Sequence, residues 1–257
     1  YDSLDTTAAL SAASPLFGDA LSLSTDELKA KYPQAGYVIL RSDLVLTVGE
    51  NSECSAERTL VWRILEQRGA DSAFRSLSFF PDSQKAEVLY GITVAPDGKV
   101  SRLADSSIKV ESVHAGLPEY DYLKRMRFSL KNPVPGATLF LRTRVSGTAA
   151  ALVPIVSDNA LLGYEPIVES TITLVASPEA LKNVSFASSG VDRQADSFVW
   201  RVNDAPQIMP EPIMPPLASF APRVLVACPA STWPRLAYEL LEKTGASPTK
   251  SPEGTTA

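Results

Sequence analysis

The sequence has 257 residues, of which 45% are hydrophobic and 21% are charged, and its formal net charge is −5. These proportions are those of an ordinary globular protein, and the acidic balance argues against the clustered basic surface of a nucleic-acid-binding protein. No apolar run approaches the roughly 18 residues that a membrane-spanning helix needs. The chain has one histidine, His114, so any histidine-dependent chemistry would depend on that residue alone.

Residues 1–35 are predicted to form an N-terminal segment that contains one short helix. Ser24 and Glu27 fit a capping box, in which each side chain bonds the other residue's backbone N–H at the start of a helix. Pro33 should end this helix within about two turns. The chain begins at Tyr1 rather than Met, which the removal of a leader would explain, although no signal-peptide pattern is visible.

From residue 37 onward, apolar and polar residues alternate with a period of two, which is typical of β-strands with one buried face. Residues 96–98, Pro-Asp-Gly, indicate a tight hairpin turn within this region. The segments with the alternating pattern are residues 37–48, 59–66, 88–94, 100–103, 123–130, 139–145, 165–176, 184–186 and 197–202. No helical pattern separates them, so we predict an all-β fold: an antiparallel β-sandwich, immunoglobulin-like or larger, over residues 36–226.

Residues 205–222 form a proline-rich strap with proline at six positions. Proline fixes φ and has no N–H, so this strap can be neither helix interior nor central strand. It also carries Met209, Ile213 and Met214, and we expect these side chains to pack on the sandwich. Beyond a short strand at residues 224–226, the pattern predicts a C-terminal helix within residues 227–245 that starts near Trp233 and leads to a following domain. Residues 246–257 are predicted to be a flexible tail.

The two cysteines, Cys54 and Cys228, lie far apart in the sequence, and two cysteines do not make a disulfide framework. We expect two separate thiols that behave as small hydrophobic side chains. Catalysis by either thiol with His114 would need a contact that the sequence does not indicate. We therefore predict no catalytic residue.

A metal site would need several converging ligands. Glu111, His114, Glu119 and Asp121 lie close together in sequence, but in a loop where solvated polar residues are expected anyway. No glycine-rich phosphate-binding motif is present. The sequence therefore predicts no metal site, no cofactor-binding residue and no cofactor.

Arginines occupy the outward positions of two predicted strands, Arg125 and Arg127 on one and Arg142 and Arg144 on the next. If these strands pair, four guanidinium groups share one face, and like charges directly opposite destabilise a sheet. A cross-strand ladder of ion pairs is the expected compensation, and a surface for an anionic partner is the alternative. The carboxylates predicted to complete the ladder are Glu165 and Glu169.

Four aromatic residues lie in the alternating strands and could in principle form a sugar-binding platform. Inward positions are more typical of such residues, so we predict that they belong to the core. They are Trp62, Trp200, Phe128 and Phe186.

The order and spacing of these elements resemble a bacterial β-sandwich domain of unknown function that lies N-terminal to transglutaminase-like, papain-fold domains in exported proteins. The resembling stretches are residues 37–48, 58–68, 88–100, 127–137, 198–202 and 210–216, within a region from about residue 31 to 240. The resemblance implies a periplasmic or cell-envelope location. It also implies that the catalytic groups lie in the downstream domain, and no position of this chain matches them.

We therefore predict a non-catalytic accessory or scaffold domain that docks a protein partner, either the downstream transglutaminase-like domain or another envelope protein. The alternative is a carbohydrate- or peptide-binding β-sandwich module with an exposed aromatic or edge-strand site. An enzyme that uses Cys54 or Cys228 with His114 is a third hypothesis. Exposed, coplanar aromatic rings would favour the binding module, and a thiol within hydrogen-bond reach of His114 would favour the enzyme.

Overall fold

The computed structural model describes residues 22–49, 52–116, 121–148, 155–195, 197–228, 237–238 and 240–241. Within these ranges the fold is all-β, with two short α-helices, α1 (Thr25–Lys31) and α2 (Pro178–Leu181). The strands are β1 (Tyr37–Val48), β2 (Glu53–Ile64), β3 (Phe74–Phe79), β4 (Gln84–Val94), β5 (Val100–Arg102), β6 (Lys109–Ser112), β7 (Lys124–Ser129), β8 (Thr138–Thr148), β9 (Ile155–Ala160), β10 (Ile167–Ala176), β11 (Ser185–Ser189), β12 (Val199–Ala205) and β13 (Arg223–Cys228). No helix in the described ranges is long and apolar enough to cross a bilayer.

The strands form one large sheet and two small sheets. The large sheet has the order β12-β10-β1-β2-β8-β4-β5, the first small sheet is β11-β13-β9, and the second small sheet is β3-β7-β6. The β1–β10 pair is parallel, and the other described strand pairs are antiparallel. The parallel pair differs from the antiparallel arrangement predicted. It is possible because residues 49–166 provide the long crossover that parallel strands need.

The two small sheets pack side by side on one face of the large sheet. The first covers β1, β10 and β12, and the second covers β2, β4 and β8. Helix α1 covers part of the opposite face of the large sheet. Adjacent residues of β2 point to the two faces: Val61 packs in the cluster that includes α1, whereas Trp62 packs against the second small sheet. Strand alternation therefore builds cores on both faces of the large sheet.

A β-bulge in β1 changes the face to which its apolar residues point. The register of the β1–β2 pair shifts between Ile39 and Arg41. Before the shift Val38 packs with α1, and after it Leu44 and Leu46 pack against the first small sheet. One inserted residue reverses the inward and outward positions of a strand.

Two local predictions are confirmed. The hydroxyl of Ser24 accepts a hydrogen bond from the backbone N–H of Glu27 at 3.2 Å, and the Glu27 carboxylate accepts one from the Ser24 N–H at 2.7 Å. In the β4–β5 hairpin, the Ala95 N–H donates to the Lys99 carbonyl at 2.9 Å, and Gly98 takes a positive φ of 82°.

Three strands, β3, β6 and β9, were not among the predicted segments, and their pairing corrects the arginine prediction. Strand β7 pairs with β3 and β6, whereas β8 lies in the large sheet between β2 and β4. Strands β7 and β8 therefore do not pair. Of the predicted C-terminal helix, residues 237–238 and 240–241 are helical. Trp233 and the rest of that prediction, the flexible tail and residues 1–21 lie outside the described ranges.

Candidate functional site

A cleft separates the two small sheets where β9 and β3 form their neighbouring edges. No other described strand pairs with the outer edge of β9 or of β3. A cavity of about 260 Å³ lies in this cleft. Cys54 and Ala56 of β2 form part of its floor, and Ser157 of β9 and Ser78 of β3 contribute to its walls. The cleft is thus an opening between two unpaired strand edges.

The structure brings the two cysteines together at this cleft. Cys54 and Cys228 both line the cavity, are 7% and 2% exposed, and contact each other through their thiols. The Cys54 thiol also lies 3.6 Å from the carbonyl oxygen of Ser52. Burial, and then the hydrogen bond with Cys228, raise the pKa of the Cys54 thiol. The prediction of two free thiols that behave as small buried side chains is confirmed. Their contact was not predicted, because the spacing of two residues in a sequence does not give their distance in the fold.

His114 lies elsewhere. It is exposed in the turn after β6, where its backbone N–H donates to the Ser112 hydroxyl at 3.2 Å. Cys54 bonds Ser52 and Cys228 instead, so the described contacts of this thiol do not form a Cys–His pair.

Two of the carboxylates that were considered as metal ligands are ion-paired. Glu111 bonds Arg127 at 2.8 Å, and Asp121 bonds Lys124 at 2.6 Å. The hydrogen bond from Lys124 lowers the pKa of Asp121. No group of three or more potential metal ligands occurs in the part of the chain that the structure describes. Glu119 lies outside the described ranges.

A chain of polar side chains connects the wall of the cleft to a partly buried cation. Ser157 accepts a hydrogen bond from the Asn159 side chain at 2.6 Å, and Asn159 accepts one from the Arg58 guanidinium at 3.1 Å. No described carboxylate bonds Arg58, and burial lowers the pKa of this guanidinium. A partly buried cation with only a neutral partner is suited to an anionic group.

The arginines of β8 are ion-paired with one carboxylate, from a residue that the sequence interpretation did not select. Glu57 of β2 accepts hydrogen bonds from Arg142 and Arg144, at 2.6 Å from the Nε of Arg142 and 3.0 Å from the Nε of Arg144. Burial acts to raise the pKa of Glu57, but these arginines outweigh it, so the pKa is lowered. A ladder of ion pairs is therefore present on this strand. Its carboxylate comes from β2, because β2 and not β7 is the neighbour of β8.

The two carboxylates predicted for that ladder have other surroundings. Glu169 lies 3.4 Å from Arg201 and 3.9 Å from Arg41, in a separate network on β10, β12 and β1. One carboxylate oxygen of Glu165 is buried without a hydrogen-bond partner among the described residues. Burial raises the pKa of Glu165.

Three of the four aromatic residues predicted to lie in the core do so: Trp62, Trp200 and Phe128 are buried. Phe186 is exposed, a correction that follows from its position on β11, an outer strand of the first small sheet. Its ring still contacts Trp200 edge-on, with centroids 6.0 Å apart.

An exposed aromatic pair lies beside the cleft. Phe80, a cavity-lining residue, and Tyr122 are 41% and 51% exposed. Their rings stack with centroids 6.2 Å apart and planes 7° apart. The two residues are far apart in sequence and lie outside the strands, so strand periodicity could not identify them.

The strap is only partly packed on the sandwich. Ile208, Met214 and Leu217 are half-buried, whereas Met209 is 58% exposed and Ile213 is fully exposed. The prediction of packed side chains is therefore wrong for Met209 and Ile213. Ile208 is held by a hydrogen bond from its N–H to the carbonyl of Tyr164 at 3.0 Å.

Ile213 lies at the tip of a tight turn in a disfavoured conformation. The Met214 N–H donates to the Glu211 carbonyl at 3.1 Å, and Pro212 and Ile213 are the central residues. The φ of Ile213 is +68°. Positive φ at this position is normal for Gly or Asn in a type II turn, but is an outlier for a β-branched residue. The turn therefore presents an apolar side chain to solvent under backbone strain.

The fold is similar to that of a solved structure from another protein. A proposed protease from Parabacteroides distasonis matches with a TM-score of 0.67 and 14% identity, over 81% of this chain and 43% of that chain. An M1 zinc metallopeptidase from Deinococcus radiodurans matches with a TM-score of 0.35 and 17% identity, over 76% and 43% of the two chains. A TM-score of 0.35 does not indicate a shared fold. This chain thus spans less than half the length of either structure.

Comparison with curated proteins gave no match. The profile of a family, a domain of unknown function with solved structures, matches residues 51–208. This range includes the strands from β2 to β12 and the floor of the cleft, and it is more than half of the sequence. The chain therefore belongs to the DUF3857 family.

Proposed function

We propose that this chain is a non-catalytic accessory domain of a cell-envelope protein and that the strap docks a protein partner. The observation that carries the proposal is the Ile213 turn. A fully exposed β-branched side chain at positive φ contributes little to the fold and costs on the order of 1–3 kcal/mol of backbone strain. Burial of the Ile213 side chain against a partner would compensate for this strain.

The surroundings of the turn suit docking. The half-buried residues Ile208 and Leu217 flank it in sequence, and Met209 and Phe220 add exposed apolar surface to the same strap. A hydrogen bond between the Leu161 N–H and the Pro222 carbonyl, 2.8 Å long, holds the far end of the strap. A short segment that is fixed at both ends loses little conformational entropy on binding.

The partner that we propose is a transglutaminase-like or peptidase domain. Sequence resemblance supports the first kind, and the 43% share of the Parabacteroides distasonis protein supports a role as one domain beside another. In this proposal the chemistry belongs to the partner, and this chain positions it. Exported location follows from the same resemblance.

Calorimetry of the isolated chain with a purified transglutaminase-like domain tests the proposal. The partner is taken from a protein in which that domain follows a DUF3857 domain. We expect Ile213→Gly to weaken binding at least about tenfold, since a central apolar anchor is worth 1.4 kcal/mol or more. Val110→Ser is the matched control, because Val110 is an exposed apolar residue on β6. Equal affinity of the wild type and Ile213→Gly, or no binding at all, would refute strap docking.

The cleft favours a second candidate function, a peptide-binding module. Two unpaired strand edges flank a cavity with mainly apolar walls, and exposed, coplanar rings lie beside it. We infer that an extended peptide with a carboxylate could pair with β9 or β3, with Arg58, which is linked to Ser157 of β9 through Asn159, as the cation that receives the carboxylate.

Backbone hydrogen exchange of the chain tests this second candidate. It is measured with and without a hexapeptide of alternating Thr and Val residues that has a free C-terminal carboxylate. Strand addition protects the outward N–H groups of β9 or β3 and leaves those of β6 unchanged. The same peptide with a C-terminal amide should bind more weakly. Absence of added protection in β9 and β3 at millimolar peptide excludes strand addition by this ligand class.

A further inference from the structure

The two cysteine side chains meet where the two layers of the sandwich face each other. Cys54 is the second residue of β2 in the large sheet, and Cys228 is the last residue of β13 in the first small sheet. Their strands belong to different sheets, so backbone pairing does not bring them together. Packing of the layers does, because both cysteines belong to the same buried cluster and line the same cavity.

Catalysis and metal binding do not account for this pair. A reactive cysteine needs a nearby cation or helix N-terminus that lowers its thiol pKa, whereas here burial raises the pKa of Cys54. The apolar side chains of Val48 and Val226 line the same cavity. No group of three or more potential metal ligands includes these thiols within the described ranges.

We propose that Cys54 and Cys228 form a disulfide that joins the large sheet to the first small sheet in an oxidising compartment. A disulfide needs Cβ atoms about 3.5–4.5 Å apart, and the two cysteines are already neighbours within one buried cluster, with a hydrogen bond between their thiols. Cys228 ends β13, so the bond fixes the end of that strand to the start of β2. This inference concerns the sandwich itself and does not depend on strap docking.

A glutathione-type disulfide supplies the oxidising equivalents. One cysteine thiolate attacks the oxidised glutathione, which releases one glutathione thiolate and leaves a mixed disulfide on the protein. The second cysteine thiolate then attacks the protein sulfur of that mixed disulfide and releases the second glutathione. Two protein thiols lose two protons and two electrons, and one oxidised glutathione becomes two reduced molecules.

Because both thiols are buried in the folded chain, the disulfide should form during folding rather than after it. In the folded chain the thiols are almost inaccessible and the pKa of Cys54 is raised, so oxidation of the reduced native protein should be slow. In the unfolded chain both thiols are exposed and have ordinary reactivity. Formation therefore accompanies folding, when the arrival of Cys228 completes the buried cluster.

Oxidative refolding tests the inference. The reduced, unfolded chain is diluted into a buffer of reduced and oxidised glutathione, denatured again after folding, and treated with iodoacetamide. We expect the wild type to show no alkylated thiol and one proteolytic peptide pair that links Cys54 to Cys228 and separates on reduction. In Cys54→Ser and Cys228→Ser, the remaining thiol should be alkylated or should carry glutathione.

The double variant Cys54→Ala/Cys228→Ala, refolded in the same buffer, is the control for effects of glutathione on folding. A native wild-type fold with two alkylated thiols would overturn the inference. So would glutathione on either cysteine without the linked peptide. Failure of the oxidised wild type to fold, while the double variant folds, would also overturn it, because the bond would then be incompatible with the packing.

Discussion

Trp62 and Trp200 are both almost completely buried, yet their indole N–H groups have different surroundings. The N–H of Trp62 donates to the Ser72 hydroxyl at 2.9 Å, and the Arg75 guanidinium lies 4.8 Å from the ring centroid. The N–H of Trp200 has no hydrogen-bond partner among the described residues. A buried donor without a partner weakens the contribution of an otherwise well-packed side chain.

This difference predicts unequal costs for the same substitution. Trp62→Phe leaves the Ser72 hydroxyl buried and unpaired, whereas Trp200→Phe removes an unsatisfied donor. We expect Trp62→Phe to lower the free energy of unfolding by about 1–2 kcal/mol more than Trp200→Phe does. Urea titration of both variants measures the difference, and equal losses would contradict the assigned hydrogen bonding.

Glu57 should contribute stability that depends on pH. Its pKa is lowered in the folded chain from an ordinary value of 4.5, so its contribution is present above that value and is lost as the pH falls through the folded pKa. Glu57→Gln should cost about 1 kcal/mol at pH 7, because it leaves Arg142 and Arg144 without their carboxylate.

Urea midpoints of the wild type and Glu57→Gln, measured from pH 7 to pH 3, check this. The gap between them should shrink towards pH 3. Glu179→Gln is the matched control, because Glu179 pairs with Lys182 on an exposed surface and should have little effect. A gap that does not change with pH would show that the loss comes from packing rather than charge.

At the scale of elements, Gly69 fixes the approach of the 3₁₀ helix Gln67–Ala73 to the start of β1. A Cβ atom at this position would lie 2.0 Å from the carbonyl oxygen of Gly36, a backbone atom that cannot rotate away. We expect Gly69→Ala to destabilise the chain by about 1–3 kcal/mol through overpacking. Gly163→Ala, with the nearest backbone atom at 3.9 Å, should change the urea midpoint little.

The elements also show which parts of the fold the sequence determines locally. The alternating pattern predicts β1, β4 and β10 because each has enough apolar residues to define a buried face. It misses β6, with the sequence Lys-Val-Glu-Ser, and β9, which ends in Ser-Asp-Asn-Ala, because they carry few apolar residues. Such strands are held by their neighbours rather than by their own periodicity.

The same limit applies to the candidate sites. The proline content predicts an irregular strap, but not the outward orientation of Ile213, because a β-branched residue is not expected at the positive φ of this turn. The meeting of Cys54 with Cys228, and the pairing of Glu57 with Arg142, depend on which strands become neighbours. Sheet order is a property of the whole chain, so local patterns predict strands better than sites.

At the scale of the molecule, the proposed disulfide predicts a large stability difference between oxidised and reduced protein. It would close a loop of about 175 residues and could raise the free energy of unfolding by about 5 kcal/mol in the chain-entropy estimate. Urea titration with and without reductant measures this difference. The Cys54→Ala/Cys228→Ala variant should not respond to reductant, and a response of equal size there would exclude the bond as the cause.

The parallel pairing of β1 with β10 has a consequence for biosynthesis. In a nascent chain, β1 can pair with β2, and β2 with β8, once residue 148 has left the ribosome. The other edge of β1 has no strand to pair with until residues 167–176 are synthesised. A polypeptide that ends between residues 148 and 167 keeps β1 as a long, apolar edge strand whose backbone hydrogen-bonding groups have no partner on one side. Such fragments should self-associate into insoluble material, whereas the complete product should not.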